Sequence, residues 1–291
     1  MYARVVAAFT AALLGSAALL LPTSDARAGD VGEPPSVVAH RGASARAPEN
    51  TLAAVDAAAG LGVDRVENDV QRTKDGELVV IHDDSLRRTT DAEEVFPGRA
   101  PWKVKDFTAA EIARLDAGSW FAPRFAGVRV PTLKQYMRRV EHNGQNLLLE
   151  IKNPELYPGI EQQTLKLLGN EGWLDQAHLA GRLIVQSFSA DSIRIVHDLR
   201  PGISTAFLGT PPLADLSGYA DFTDGINPSS ASISTGYVSA VHGFTGPHGR
   251  PLAVFAWTVD DAATALRVAH YGVDGVISNK PDVVRAALRG Q

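Results

Sequence analysis

The sequence predicts an α/β chain folded as a (β/α)8 TIM barrel, with a hairpin excursion and a small inserted subdomain near the mouth. Three observations carry this. Short apolar, β-rich runs alternate with amphipathic or Ala-rich segments along most of the chain. Nine such runs are present, at 37–40, 64–70, 78–82, 146–151, 183–187, 203–208, 224–227, 253–259 and 274–278. One of them, 78–82, follows its predecessor through Asp75-Gly76 with no helical segment between, which reads as a hairpin. Setting that antiparallel excursion aside leaves eight strands, the number that closes such a barrel.

Taken in order, the chain opens on Arg4 and the apolar run 5–21, followed by Ala26-Arg27-Ala28 with small residues at the −3 and −1 positions of a cleavage site. The run is short for a membrane span and contains Gly15 and Ser16. Residues 1–28 are therefore expected to be a secretory signal. The product would be secreted (extracellular or periplasmic), beginning near Gly29, with no stable membrane anchor after processing. Residues 29–36 read as a polar tether, and 37–291 as the barrel domain. Helices fit best at 50–60, 109–115, 132–142, 159–170, 190–199, 232–242, 260–270 and 281–289, with Asn50 and Asp260 as caps. The stretch 91–131 breaks the alternation, holding only TAAEIARL amid Gly-, Pro- and aromatic-rich loops, and reads as the inserted subdomain.

Composition narrows the function. With 45% hydrophobic residues in 291, the chain can bury one large core. A net charge of −5 and the lack of a basic run argue against a nucleic-acid partner. The absence of cysteine excludes disulfides, thiolate catalysis and cysteine-ligated metals.

The chemistry gathers at strand ends. Glu67 and Asp69 lie two apart on one predicted strand and share a face. Turning two acids inward is costly unless a cation or donors neutralise them. Glu150 ends the run NLLLE, with Lys152 on its face. Three carboxylates without cysteine favour a hard divalent ion, Ca²⁺ or Mg²⁺, over zinc. His40 and His82 each end an apolar run, VVAH and LVVIH, and suit general acid–base work, although spacing does not divide the roles. Arg41 could grip phosphate oxygens bidentately, and Lys152 is a second cation. Gln186, Phe188 and Trp257 stand at later strand ends, where substrate contacts gather in this fold. Phe188 and Trp257 read equally well as core aromatics. Asn50 is read as a helix cap only. The remaining histidines (His142, His178, His197, His242, His248 and His270) are expected at the surface.

The same residues carry a resemblance. His40-Arg41-Gly42, Pro48-Glu49-Asn50-Thr51, Glu67-Asn68-Asp69-Val70, the segment Thr73 to Asp83, and Arg88-Thr89-Thr90 resemble the ordered motifs of the glycerophosphodiester phosphodiesterase family. LLEIK at 148–152, QSF at 186–188, WTV at 257–259 and GVISNKPD at 275–282 agree with it. The resemblance spans nearly all of the chain after the signal segment. It implies the same barrel, an insertion at the same place, and hydrolysis of a small glycerophosphodiester to sn-glycerol 3-phosphate and an alcohol. One departure is visible: Ser278-Asn279 stands where the family usually has Thr-Asp, so an acceptor is kept and a charge is lost. Two alternatives remain open. One is a phosphodiesterase for lipids or teichoic-type polymers; the other is a non-catalytic glycerophosphate binder.

Overall fold

The computed structural model describes Met1 and residues 34–290. The predicted signal segment, apart from Met1, and residues 29–33 of the predicted tether lie outside the described residues. Strand β1 (Ser36–Ala39) begins inside the stretch read as tether, because Ser36 to Ala39 pair in register with Gly275 to Ser278.

Along the chain follow α1 (Leu52–Gly60), β2 (Arg65–Arg72), β3 (Leu78–Val80), α2 (Ala92–Val95), α3 (Ala109–Ile112), α4 (Leu133–His142), β4 (Asn146–Ile151) and α5 (Ile160–Asn170). Then come β5 (Leu183–Ser187), α6 (Ala190–Leu199), β6 (Ser204–Leu208), α7 (Leu216–Ala220), β7 (Gly225–Asn227), α8 (Thr235–His242), β8 (Ala253–Ala256), α9 (Ala262–His270), β9 (Gly275–Ser278) and α10 (Pro281–Arg289). The strand order β1-β9-β8-β7-β6-β5-β4-β2, closed by a β1–β2 pairing, is a parallel eight-stranded barrel. The helix α7 lies between two strands where the sequence had shown no helical segment, its five residues being too few to display a period.

β2 is the longest strand, and its length positions the site. Its first residues pair with β1, as in Ala39 opposite Val66, while Val70 to Arg72 pair antiparallel with β3. β2 thus extends past the end of β1 and carries the hairpin that returns His82. Inside the barrel, Val38, Leu148 and Ile277 are buried against Ile184, Phe255 and Trp257. The opposite face of the strands packs on the helices. α4 shows why: Leu133, Tyr136, Met137 and Val140 recur at helical spacing and are all buried, beneath a capping box between Thr132 and Gln135.

The 91–131 stretch builds its own small core. Ala92, Val104, Phe107, Ile112, Leu115 and Ala117 bury against Val79, Ile81 and Leu86 of the hairpin region. Its predicted seven-residue helix is the shorter α3, started by a capping box between Thr108 and Glu111.

Candidate active site

Three carboxylates converge where β2 and β4 end. Asp69 lies directly opposite Glu150 in the parallel register, and Glu67 shares the face of Asp69. One oxygen from each of Glu67, Asp69 and Glu150 lies within 4.8 Å of the others, and all three residues are buried. Glu67 Oε1 and Asp69 Oδ1 have no hydrogen-bond partner among the described residues, and Glu150 Oε1 meets only the Lys152 ammonium. Buried carboxylate oxygens facing one another without donors are costly. Burial, and then Asp69 and Glu150, push the Glu67 carboxyl well above its ordinary value; burial and Asp69 push Glu150 up to about 8. Burial also opposes the charge on Asp69, but Arg41 and Lys152 overcome it and hold that carboxyl below its ordinary value. Lys152 Nζ lies 2.9 Å from Glu150 Oε1 and 3.7 Å from Asp69 Oδ1. Two cations face three acids, and one oxygen of each acid lies close enough to the others to share a single ion, so the donor set fits one hard divalent cation.

The histidines flank this cluster. His40 follows β1, with Nε2 4.0 Å from Glu67 Oε2 and Nδ1 2.7 Å from Asn279 Oδ1. The turn after it is built by the H-R-G sequence. Arg41 and Gly42 both have positive φ (57° and 76°), and a Cβ on Gly42 would come within 2.6 Å of the Ala54 backbone. That turn aims the Arg41 backbone N–H at Glu67 Oε2, 2.8 Å away. Burial, then the charge of Arg41, pull the His40 imidazole down to about 4. His82 approaches from the hairpin with Nδ1 2.7 Å from Asp83 Oδ1. Asp83 is gripped by Arg88 through two bonds of 2.7 and 2.9 Å; Arg88 makes two more, of 2.8 Å, to Glu49, which receives Arg41 at 2.9 Å. Alternating charges thus run from His82 round to Arg41, whose Nε lies 3.5 Å from Asp69 Oδ2.

A cavity of about 80 Å³ opens over the cluster. His40, Arg41, Glu67, His82, Glu150, Lys152, Gln186, Phe188 and Trp257 all line it, so nine of the ten sequence-predicted site residues meet there, and Asp69 is buried beside Glu150. Phe188 is half exposed and stands edge-on to Trp257 at 5.5 Å, with Lys152 Nζ 5.4 Å from its ring centre. That decides against the core reading of Phe188. Trp257 is tied by its Nε1–H to Asn227 O at 2.7 Å, and Asn227 Nδ2 donates to Gln186 Oε1 at 2.8 Å. A larger cavity of about 250 Å³ lies at the opposite ends of the strands, beside Ser204, Gly225 and Ala253, but its lining contains no histidine or glutamate.

Two expectations are corrected here. Asn50 is not the helix cap: Thr51 caps α1, while Asn50, itself at positive φ, donates Nδ2 to Asp69 Oδ2 at 2.7 Å. His178 is not a surface residue but is buried against Trp173, held by Asp175 at 2.7 Å and Glu141 at 3.0 Å. Sequence reasoning also passed over Gln71, although it continues the period-two series Glu67, Asp69 on β2.

The sequence matches the glycerophosphoryl diester phosphodiesterase family over residues 40–283. The chain belongs to that family. Its class is accordingly that of a phosphoric diester hydrolase. It is 37% identical to the putative glycerophosphodiester phosphodiesterase YhdW of Bacillus subtilis, over 85% of this chain and 96% of that one. It is 33% identical to a glycerophosphodiester phosphodiesterase of the same organism, over 99% and 98%. Among solved structures it is similar to an Oleispira antarctica phosphodiesterase in complex with the product sn-glycerol-3-phosphate, with TM-score 0.75 and 28% identity, over 88% of this chain and 97% of that one.

Proposed function

We propose that this chain hydrolyses small glycerophosphodiesters to sn-glycerol 3-phosphate and an alcohol, with a divalent cation held by Glu67, Asp69 and Glu150. The observation that carries the reading is the convergence of one oxygen each from Glu67, Asp69 and Glu150 within 4.8 Å, beside a cavity lined by both histidines. The product complex of the Oleispira relative supports the substrate class. When bound, Ca²⁺ or Mg²⁺ would supply positive charge to offset the charge that builds on the phosphoryl group.

The protein's own groups do the rest. Arg41 and Lys152 bring positive charge to the cavity wall and orient the phosphate oxygens. His40, kept neutral by burial and by Arg41, accepts the proton of the attacking hydroxyl. His82, with Nδ1 engaged by Asp83, gives a proton from its other nitrogen to the departing alkoxide. Phe188 and Trp257 form an aromatic wall for the leaving alcohol.

The test is an assay of the purified protein on glycerophosphocholine, glycerophosphoethanolamine and a glycerol-phosphate polymer, with Ca²⁺, Mg²⁺ or chelator. Release of sn-glycerol 3-phosphate from the small diesters, lost in chelator, is expected. Cleavage of the polymer alone would move the substrate to the teichoic-type alternative, and binding without turnover would make the chain a binder. Export rests on the N-terminal features alone. An intracellular product retaining residues 1–28 would overturn it.

A further inference from the structure

We propose that Asn279 and Asp260 form a relay that fixes the tautomer of His40, leaving its Nε2 bare toward the cavity. The inference rests on the reading of His40 as proton acceptor, and adds the two positioning residues that make it one.

The geometry leaves little freedom. Asp260 Oδ2 lies 2.7 Å from Asn279 Nδ2, and Asp260 Oδ1 receives the Asn279 backbone N–H at 2.8 Å and the Ser278 hydroxyl at 3.2 Å. A carboxylate only accepts, so the Asn279 amide must turn its NH₂ toward Asp260. Its Oδ1 then faces His40 Nδ1 at 2.7 Å and also takes the Ser44 hydroxyl at 2.7 Å. An amide oxygen cannot donate, so the proton between Asn279 and His40 belongs to Nδ1. In the neutral imidazole the other nitrogen is then an acceptor. The lone pair at Nε2 faces the side on which Glu67 and the cavity lie.

The departure noted in the sequence now has a physical reading. Asparagine at 279 removes a negative charge from direct contact with His40, and Asp260 restores it one hydrogen bond further away. The backbone bond from Asn279 to Asp260 and the Ser278 hydroxyl pin the same carboxylate, so the relay is rigid at its far end. Asp260 is free for this work because Asp261, not Asp260, caps α9.

The relay makes an unusual prediction for Asp260→Asn. The oxygen of the new amide is needed where the Asn279 backbone N–H and Ser278 hydroxyl point, so its NH₂ falls toward Asn279. Two NH₂ groups cannot face each other, so the Asn279 amide reverses, presents NH₂ to His40 Nδ1, and drives the proton to Nε2.

The experiment is long-range ¹H–¹⁵N correlation on the labelled full chain, metal-free and with Ca²⁺, with His40 assigned by loss of its signals in His40→Gln. The wild type should show Nδ1–H. Asp260→Asn should show Nε2–H, with kcat reduced tenfold or more and KM changed little. The exchange Asp260→Asn with Asn279→Asp puts a carboxylate on His40 and a donor behind it, and should restore Nδ1–H and most of kcat. Nε2–H in the wild type would overturn the relay whether or not any variant folds. An unchanged tautomer in folded Asp260→Asn would also overturn it. Nδ1–H in the wild type together with full turnover in His40→Ala would uphold the relay and remove only the acceptor role.

Discussion

Gln71 donates its side-chain Nε2–H to the carbonyl oxygen of His82 at 3.0 Å, holding the hairpin loop from the strand that carries the acids. The same NH₂ lies 2.9 Å from Ile81 O and 2.6 Å from Asp83 O, and the Tyr157 hydroxyl donates to Gln71 Oε1 at 2.8 Å. Gln71 is fully buried, so no water substitutes for it. Gln71→Leu should therefore release the loop and displace His82. A misplacement of about 1 Å can cost roughly a hundredfold in kcat. Steady-state kinetics should show that loss, while calorimetric metal titration stays unchanged because Glu67, Asp69 and Glu150 are untouched. A parallel loss of metal binding would mean that the substitution disturbs β2 itself.

Glu67→Gln, Asp69→Asn and Glu150→Gln should each weaken divalent-ion binding and nearly abolish turnover. Each removes one of three converging oxygens, and an amide is a poorer ligand for a hard cation than a carboxylate. Chelator should inactivate the wild type, and Ca²⁺ or Mg²⁺ should restore it. Full turnover by metal-free protein in excess chelator would remove the assignment.

The carboxylates and histidines were legible because a buried barrel strand announces itself as an apolar run, so a charged residue ending the run is conspicuous. Asn50 and Asp260 were not legible. Asparagine and aspartate are both strong helix caps, and each stands one residue before the true cap, Thr51 or Asp261. What separates a cap from a site residue here is a partner far along the chain, Asp69 for Asn50 and Asn279 for Asp260, and local sequence does not reveal it. His178 was missed for the same reason: its burial depends on Trp173 and Glu141. Gln71 was within reach, since the period of two that paired Glu67 with Asp69 extends to it.

The raised carboxyls predict how pH acts on the metal-free protein. Glu67 and Glu150 hold protons more tightly folded than unfolded, with Glu150 at about 8 against 4.5. The folded state therefore binds more protons in this window, and stability falls as pH rises from about 4.5 through about 8. Melting curves of chelated protein should show Tm dropping between pH 5 and pH 8. Added Ca²⁺ or Mg²⁺ should raise Tm most at the upper end, where the acids must ionise, by an amount corresponding to about 2.7 kcal/mol at a hundredfold excess over Kd. A Tm that rises over this range without metal would contradict the shared burial of the acids.

His40→Ala and His82→Ala should each lower turnover by about a hundredfold or more. A diester with a nitrophenolate leaving group separates them. A good leaving group needs no proton, so it should partly rescue His82→Ala and leave His40→Ala impaired. Rescue of His40→Ala instead would exchange the two roles.

The identity of the attacking hydroxyl can be tested on the substrate. Among the described residues, no serine, cysteine or tyrosine lines the cavity as a covalent nucleophile, the motif serines Ser187 and Ser278 being buried and hydrogen-bonded to Ile151 O and Asp260. Water and the 2-hydroxyl of the glycerol moiety remain. That hydroxyl is already tethered beside the phosphorus, and an intramolecular attack gains the large advantage of a held reactant. Its proton would pass to His40 as the O–P bond forms, the P–O bond to the alcohol would break, and His82 would protonate the departing oxygen. The product of this step is a cyclic glycerol phosphate, which water then opens to glycerol phosphate. A glycerophosphocholine analogue with the 2-hydroxyl methylated should bind with similar KM and turn over at least a hundredfold more slowly. Rapid-quench ³¹P spectra of the natural substrate should show the cyclic phosphate before the final product. Cleavage of the methylated analogue at the natural rate would establish direct attack by water.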